Sequence, residues 1–211
     1  KTRVEIINGI LEESELAQKH PGQVWGFMTG FKELDWSLTG IRPGQLVVIG
    51  ARPGEGKTSL MMNIAHHNAT EANVPVGVIS LEMSEKELFT RLMCSAANIS
   101  GKDMRTGRLD KAEERRLLTR ASALSRTPIH IVSKQCHTMP RIEGIARKLI
   151  AEEGIRLLFV DYLQLIQPSG KTRSRYEAVC EVSGALKQLA MQLNLPVIVG
   201  SQLNRDTEKE G

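Results

Sequence analysis

The most informative stretch of the chain is Val47-Val48-Ile49-Gly50-Ala51-Arg52-Pro53-Gly54-Glu55-Gly56-Lys57-Thr58. An apolar run stops at a loop of small residues, and the loop ends in Gly-Lys-Thr. This is the layout of a P-loop, in which a strand leads into a phosphate-binding loop and then into the N-terminus of a helix. The stretch therefore predicts a nucleoside triphosphate, a metal ion and a fold family together.

Each position of this loop has a chemical reason. Gly54 and Gly56 let the chain curl tightly enough to aim backbone N–H groups at phosphate oxygens. Lys57 brings a positive charge to the β- and γ-phosphates, and the Thr58 hydroxyl is a ligand for Mg²⁺. We therefore predict that ATP, bound with Mg²⁺, contacts Ala51, Arg52, Pro53, Gly54, Glu55, Gly56, Lys57, Thr58 and Ser59.

One letter departs from the usual pattern G-x-x-x-x-G-K-[ST], which has glycine at the position that Ala51 occupies here. Alanine is only slightly larger, so it is compatible with the turn. The alternative interpretation is a Gly-rich turn that precedes a lysine by chance. The strand and helix patterns on either side of the loop favour the P-loop.

Composition limits the class of protein. The chain has 211 residues, 41% of them hydrophobic, which suits one globular domain. Its net charge of +4 is compatible with a nucleic-acid partner but does not require one. Widely spaced cysteines without a Cys/His cluster predict neither a zinc site nor a disulfide framework. Because there is no signal peptide and no apolar run of about 20 residues, we expect a cytoplasmic protein without membrane contact.

The pattern along the chain predicts an α/β fold. Residues 4–17 have the apolar stripe of a helix, and a Pro-Gly break follows, so we divide the chain into a linker helix with its connection (1–22) and a main domain (23–211). On the residues alone, this helix is equally suited to its own domain or to a neighbouring molecule.

The main domain alternates strands with helices. We predict strands at 45–50, 76–80, 129–132, 157–161 and 197–201, and helices at 58–68, 84–97, 110–124, 139–153 and 176–193, with an irregular connection at 100–109. This alternation is typical of a mostly parallel sheet flanked by helices. Ligands of such sheets bind at the carboxyl ends of the strands.

Polar residues stand at three of these strand ends. Asp161 closes a buried apolar strand and is predicted to hold Mg²⁺ opposite Thr58. The next residue is Tyr162 rather than a second acid, so we assign the water-activating base to Glu82 at another strand end. Gln202 follows the last strand and is predicted to bind the γ-phosphate. The alternative interpretations are that Asp161 only caps the strand end, that Glu82 is a solvated loop residue, and that Gln202 is an ordinary polar residue at a strand end.

Several motifs, taken in order, resemble those of replicative DNA helicases of the DnaB family. The resemblance covers about residues 25–205 and includes a lead-in around Thr29-Gly30-Phe31 and an Arg-Thr-Gly at 105–107. That family also accepts alanine in the first P-loop position. The motifs that carry the resemblance are Ala51-Arg52-Pro53 with Gly56-Lys57-Thr58, Ser80-Leu81-Glu82-Met83, Val160-Asp161-Tyr162-Leu163-Gln164 and Ser201-Gln202-Leu203-Asn204-Arg205.

The resemblance implies a RecA-like P-loop NTPase core that assembles into a homo-hexameric ring. Such a ring encircles single-stranded DNA at the replication fork and moves 5′ to 3′ as ATP is hydrolysed between subunits. By position, Lys57 and Thr58 hold the phosphates and metal, Asp161 supports Mg²⁺, Glu82 is the base and Gln202 the γ-phosphate sensor. The first helix becomes a linker that docks on the neighbouring subunit. Primase and a helicase loader are implied as partners, in a bacterium or for a phage protein in a bacterial host.

The sequence also departs from the family pattern. In the family, later strands carry the basic residues that reach the neighbour's γ-phosphate, and no such group is identifiable in these 211 residues. An arginine finger contributes roughly 10³–10⁵ in rate where it operates. We therefore expect this polypeptide by itself to be a weak or inactive motor.

A polar, cationic segment follows the Asp161 strand. Its charged residues Lys171, Arg173 and Arg175, with Asn204 and Arg205 after the last strand, are the predicted DNA contacts. No aromatic residue interleaves the segment, which favours gripping of the phosphate backbone over reading of bases. The alternative is a solvated loop or a subunit contact.

Two other functions compete with a motor. One is a RecA-like, DNA-binding ATPase with a regulatory or loading role and no unwinding. The other is a P-loop kinase, which requires a lid and an Arg-rich acceptor pocket that the sequence does not clearly contain. Arg91, on the helix after Glu82, is predicted to form a structural ion pair.

Overall fold

A computed structural model of the chain describes residues 2–20, 25–133, 137–168, 170 and 174–203. In the described part, the strands are β1 (Leu46–Ala51), β2 (Val76–Ser80), β3 (Ile129–Val132), β4 (Leu157–Asp161) and β5 (Val197–Gln202). The helices are α1 (Arg3–Lys19), α2 (Lys32–Leu38), α3 (Lys57–Glu71), α4 (Glu85–Ala97), α5 (Gly101–Thr106), α6 (Lys111–Leu124), α7 (Met139–Glu153) and α8 (Arg175–Leu193). A short 3₁₀ helix spans Leu163–Leu165.

The strands form one parallel sheet in the order β1-β5-β4-β2-β3. Every carboxyl end therefore lies at the same edge. Register brings Ser80 level with Asp161 and Ala51 level with Gln202. The predicted α/β fold with its parallel sheet is confirmed.

Both faces of the sheet are covered because the central strands are apolar on both sides. Phe159 on β4 packs into a cluster that includes residues of α3 and α4, whereas its neighbour Val160 packs into a second cluster with α7 and α8. This is the alternation that a strand imposes on successive side chains. Phe159 and Val160 are both fully buried, so β4 lies at the centre of the core.

Helix boundaries follow the capping chemistry of the sequence. At the start of α4, Ser84 accepts a hydrogen bond from the Glu87 backbone N–H, and the Glu87 carboxylate accepts from the Ser84 N–H, which together form a capping box. At the end of α7, Gly154 has a φ of 63°, the left-handed conformation that favours glycine. These two predicted boundaries are confirmed.

Two short helices were not expected. The segment 100–109, predicted as an irregular connection, contains α5 because Ser100 caps its first turn by accepting from the Asp103 N–H and Gly107 ends it with a φ of 66°. The other, α2, lies in the lead-in to the first strand and ends at Thr39. Both are too short and too polar for hydrophobic periodicity to detect them.

Helix α1 forms as predicted, with a capping box between Thr2 and Glu5. Its apolar side chains remain exposed: Val4 is 65%, Ile10 61% and Leu11 56% accessible. The described residues therefore leave this apolar surface uncovered. No helix in the described ranges has both the length and the apolar character needed to cross a bilayer.

Candidate active site

The carboxyl edge of the sheet opens into a cavity of about 530 Å³. The P-loop forms one wall, and residues after β2, on α4 and at the end of β5 form the others. The site brings together most of the predicted residues. Its lining consists of Ala51, Arg52, Pro53, Gly54, Gly56, Lys57, Thr58, Ser59, Glu82, Met83, Glu87, Arg91 and Gln202.

The P-loop needs its glycines for conformation. Gly54 and Gly56 have φ angles of 81° and 88°, and α3 begins at the next residue, Lys57. A Cβ at either glycine would have open space around it, so only the backbone conformation excludes other residues. That conformation costs an L-residue roughly 1–2 kcal/mol. Glu55 lies in the loop but does not line the cavity.

Asp161 lies behind the loop and joins its two functional side chains. One carboxylate oxygen accepts a hydrogen bond from the Lys57 ammonium and the other accepts from the Thr58 hydroxyl, each at 2.6 Å. The Asp161 side chain is only 3% exposed, so its charge is compensated locally by Lys57. The hydroxyl of Thr58 and the carboxylate of Asp161 are the hard oxygen donors that Mg²⁺ prefers.

Two further residues shape the surroundings of Lys57. The ammonium lies 3.8 Å from the centroid of the Tyr162 ring, a cation–π contact. On β5, a Cβ at Gly200 would lie 2.9 Å from Lys57 Cδ and 3.0 Å from the nearer Asp161 oxygen. Burial raises the pKa of the Tyr162 phenol, and the Glu82 and Asp161 charges raise it further, so the ring stays neutral.

Sequence reasoning assigned no role to Tyr162 or Gly200. The signal for Gly200 was available, because a glycine inside a strand often marks the close approach of another group. For Tyr162 the sequence gave only its position after the predicted metal ligand. Both contacts depend on how β4, β5 and α3 come together.

Glu82 extends into the cavity from a tight turn at the end of β2. The Ser80 hydroxyl donates to the Met83 carbonyl at 2.7 Å and accepts from the Met83 N–H at 3.1 Å, which closes the turn around Leu81 and Glu82. The cap of α4 uses Glu87 instead, and hydrogen bonds from Ser84 lower the pKa of that carboxyl. Glu82 is thus the cavity carboxylate that the cap leaves available.

Gln202 reaches the cavity from the end of β5. Its backbone is held by the side chain of Gln164, which both donates to and accepts from it. The quoted motif contains Gln164, but nothing in the sequence indicated this contact.

Arg91 lines the cavity, a location that the sequence did not predict. We expected a structural ion pair, yet Arg91 makes no ion pair or hydrogen bond with any residue in the described ranges and lines the cavity instead. Glu87 and Arg91 are four residues apart on α4, and this spacing puts both on one helix face. This spacing is the feature of the sequence that could have indicated that Arg91 lies beside Glu87 at the cavity.

The predicted DNA contacts are mostly outside the described ranges. This applies to Lys171, Arg173, Asn204 and Arg205. The described one, Arg175, is the exposed first residue of α8, which Ser174 caps by accepting from the Glu177 N–H.

A parallel sheet with a P-loop after one strand and a buried aspartate at the end of another defines a P-loop NTPase domain, and the solved structures that it matches are RecA-like ATPase domains. Comparison with protein families narrows this class. The family model for the DnaB-like helicase C terminal domain matches residues 26–211. The chain belongs to this family.

Relatives and solved structures agree with that assignment. The replicative DNA helicase DnaB of Geobacillus stearothermophilus is 38% identical over 196 residues, which are 92% of this chain and 43% of that protein. The chain thus spans less than half the length of this relative.

Two solved structures match with a TM-score of 0.86 and 30% identity. One is the ATPase domain of G40P, with 97% of this chain and 73% of that chain covered. The other is a DnaB-like replicative helicase described with its interactions with primase, with 100% and 50% covered.

Proposed function

We propose that this chain is the ATPase motor domain of a replicative DNA helicase, which hydrolyses ATP at subunit interfaces and moves 5′ to 3′ on single-stranded DNA. The observation that carries the proposal is the convergence on one cavity of the P-loop, Glu82 and Gln202, with Asp161 bonded to Lys57 and Thr58 directly behind it. Membership of the DnaB-like family supports the same function.

The residues fit ATP with Mg²⁺. The backbone of the P-loop and the Lys57 ammonium bind the β- and γ-phosphates, and Arg52 and Arg91 add further positive charge to the cavity. Thr58 and Asp161 would hold Mg²⁺, because their side-chain oxygens are adjacent. When bound, the metal neutralises charge on the phosphoryl oxygens.

Glu82 acts as the general base for hydrolysis. Its carboxylate takes a proton from the attacking water while the water oxygen bonds to the γ-phosphorus and the bond to the β,γ-bridging oxygen breaks, leaving ADP and phosphate. Gln202 donates a hydrogen bond to the γ-phosphoryl oxygens and senses their release. The position of both side chains on the cavity wall supports these roles.

The proposed DNA contacts are supported by the charge of the basic residues, and the proposed subunit contact by the exposure of the apolar side chains of α1. Lys171, Arg173, Arg175, Asn204 and Arg205 grip the DNA backbone without reading bases. Residues 1–22 form a linker unit, apart from the ATPase domain at 23–211, and the uncovered apolar side chains of α1 dock on the neighbouring subunit of a homo-hexamer. A primase and a loader are the further partners, in the cytoplasm of a bacterium or a phage-infected host.

The test is steady-state ATP hydrolysis by the intact protein with and without single-stranded DNA. We expect DNA to raise the rate and Glu82→Gln to lower it by at least ~10²-fold while nucleotide binding persists. Glu85→Gln, at an exposed position in the first turn of α4, is the matched control and should keep wild-type rates.

The same assays distinguish the proposed motor from a kinase and from a regulatory or loading ATPase. Transfer of the γ-phosphate to a small acceptor in place of free phosphate would establish a kinase. DNA-stimulated hydrolysis without strand separation by the assembled protein would favour a regulatory or loading ATPase. Undiminished hydrolysis by Glu82→Gln would refute the assignment of the base.

A further inference from the structure

The end of β5 extends past its neighbour β4. The β1–β5 ladder runs to the pair Ala51–Gln202, whereas the β4–β5 ladder ends at Val160–Val199. On the β1 side, the Leu203 N–H donates to the Ala51 carbonyl at 3.0 Å. Backbone groups of successive strand residues point to opposite sides of the strand. The N–H and C=O of Gln202 therefore point away from β1, towards the side on which β4 no longer pairs with β5.

The side chain of Gln164 occupies that side. Its carboxamide oxygen accepts a hydrogen bond from the Gln202 N–H at 3.0 Å, and its nitrogen donates to the Gln202 carbonyl at 3.1 Å. The same nitrogen lies 2.9 Å from the Ser201 hydroxyl. These are the two bonds that a neighbouring backbone would supply, so one side chain holds both polar backbone groups of Gln202.

Gln164 is itself firmly anchored and faces a second element. It lies in the 3₁₀ helix between two buried residues, Leu163 at 2% and Ile166 at 4% exposure. Its side chain also lines a cavity of about 50 Å³ together with Arg175, the first residue of α8. Gln164 therefore lies between the end of β5 and the start of α8.

We propose that Gln164 is a positioning residue that couples the backbone of Gln202 to the 3₁₀ helix after β4 and to the start of α8. A displacement of Gln202 by the γ-phosphate is passed through the Gln164 carboxamide to Leu163–Leu165 and to Arg175. The proposal rests on the role of Gln202 proposed above. In the part of the chain that the structure describes, Gln164 does not line the nucleotide cavity, so it acts on the nucleotide only through Gln202.

Hydrogen exchange of the peptide spanning residues 163–179 tests the coupling directly. In the wild-type protein, exchange in this peptide should differ between the ADP and ATPγS complexes. Gln164→Met has a similar length but makes neither hydrogen bond, so the difference should disappear. Gln164→Glu keeps the accepting oxygen and loses the donor, so it should retain part of the difference. Gln188→Met, on an exposed part of α8, should behave as wild type.

Three results would overturn the proposal. The first is equal exchange of the wild-type peptide in both complexes, and the second is an undiminished difference in Gln164→Met. The third is faster exchange in Gln164→Met throughout the sheet in both complexes, which indicates a structural role alone. ATPγS titrations of the same samples separate this proposal from the ATPase function. A wild-type protein that does not bind ATPγS refutes both, whereas one that binds ATPγS without a difference in exchange refutes the coupling alone.

Discussion

Gly200 is the point where the Lys57 side chain crosses β5, and Gly200→Ala tests whether this crossing positions the ammonium. The added Cβ would lie 2.9 Å from Lys57 Cδ, 3.0 Å from an Asp161 oxygen and 3.1 Å from Lys57 Nζ. Non-bonded carbon atoms normally stay about 3.5–4.0 Å apart, so one of these groups must move. Asp161 is buried and its other oxygen is held by Thr58, so the longer, flexible Lys57 side chain is expected to move.

The expected loss follows from the contact that Lys57 makes with phosphate. A hydrogen bond to a charged group contributes about 1.5–3 kcal/mol. At about 1.4 kcal/mol per tenfold change, its complete loss raises the Kd roughly 10- to 140-fold. We expect the Kd for ATPγS to increase by about tenfold or more. Overpacking should also lower the free energy of unfolding by about 1–3 kcal/mol.

Equilibrium titration with a fluorescent ATPγS analogue measures the Kd, and denaturant unfolding measures stability. Gly184→Ala on α8 is the matched control, because a Cβ there meets nothing within 4 Å. That variant should gain about 0.5–1 kcal/mol in stability and keep its affinity. A natively folded Gly200→Ala protein with wild-type affinity would show that this glycine does not position Lys57.

Three shorter predictions concern other contacts. Tyr162→Phe keeps the aromatic face and should bind ATPγS like wild type, whereas Tyr162→Leu loses a cation–π contact of about 0.5–2 kcal/mol and should bind roughly 2- to 30-fold more weakly; equal affinities would contradict that contribution. Arg91→Ala should weaken ATPγS binding more than ADP binding if Arg91 contacts the γ-phosphate, with Arg91→Lys intermediate, and an equal effect on both nucleotides would exclude that contact. Burial, with the Arg120 charge, lowers the pKa of His66 below 6.5, so as pH falls through 6.5 the unfolded chain takes up a proton first and stability falls. Thermal unfolding at pH 7.5 and 5.5 should show a smaller decrease for His66→Gln, and an unchanged decrease would assign the effect to other groups.

Local sequence signals were sufficient for most of the fold. The spans predicted for β2 and β4 match the structure, because each is a continuous run of residues suited to a buried parallel strand. The start of α4 and the end of α7 were readable from a capping box and a glycine. Helices α2 and α5 were missed since short polar helices owe their stability to caps and tertiary contacts rather than to periodicity.

The site was predictable in its composition and not in its contacts. Parallel topology alone brings Glu82, Asp161 and Gln202 to one edge of the sheet. Their common location could therefore be predicted from their positions at the carboxyl ends of the predicted strands. The cation–π contact of Tyr162 with Lys57 and the hydrogen bonds of Gln164 with Gln202 depend on how β4, β5 and α3 pack together. Such distances result from packing over the whole sheet and leave no local signal.

The shared carboxylate of Asp161 has a consequence for mutational studies. Because its oxygens accept from Lys57 and Thr58 separately, each substitution changes the partner available to the remaining group. The effects of Lys57→Ala and Thr58→Ala should therefore be non-additive, with an interaction energy of roughly 0.5–3 kcal/mol in a double-mutant cycle. Free energies from single substitutions at these positions belong to the three-residue unit and do not divide among its members.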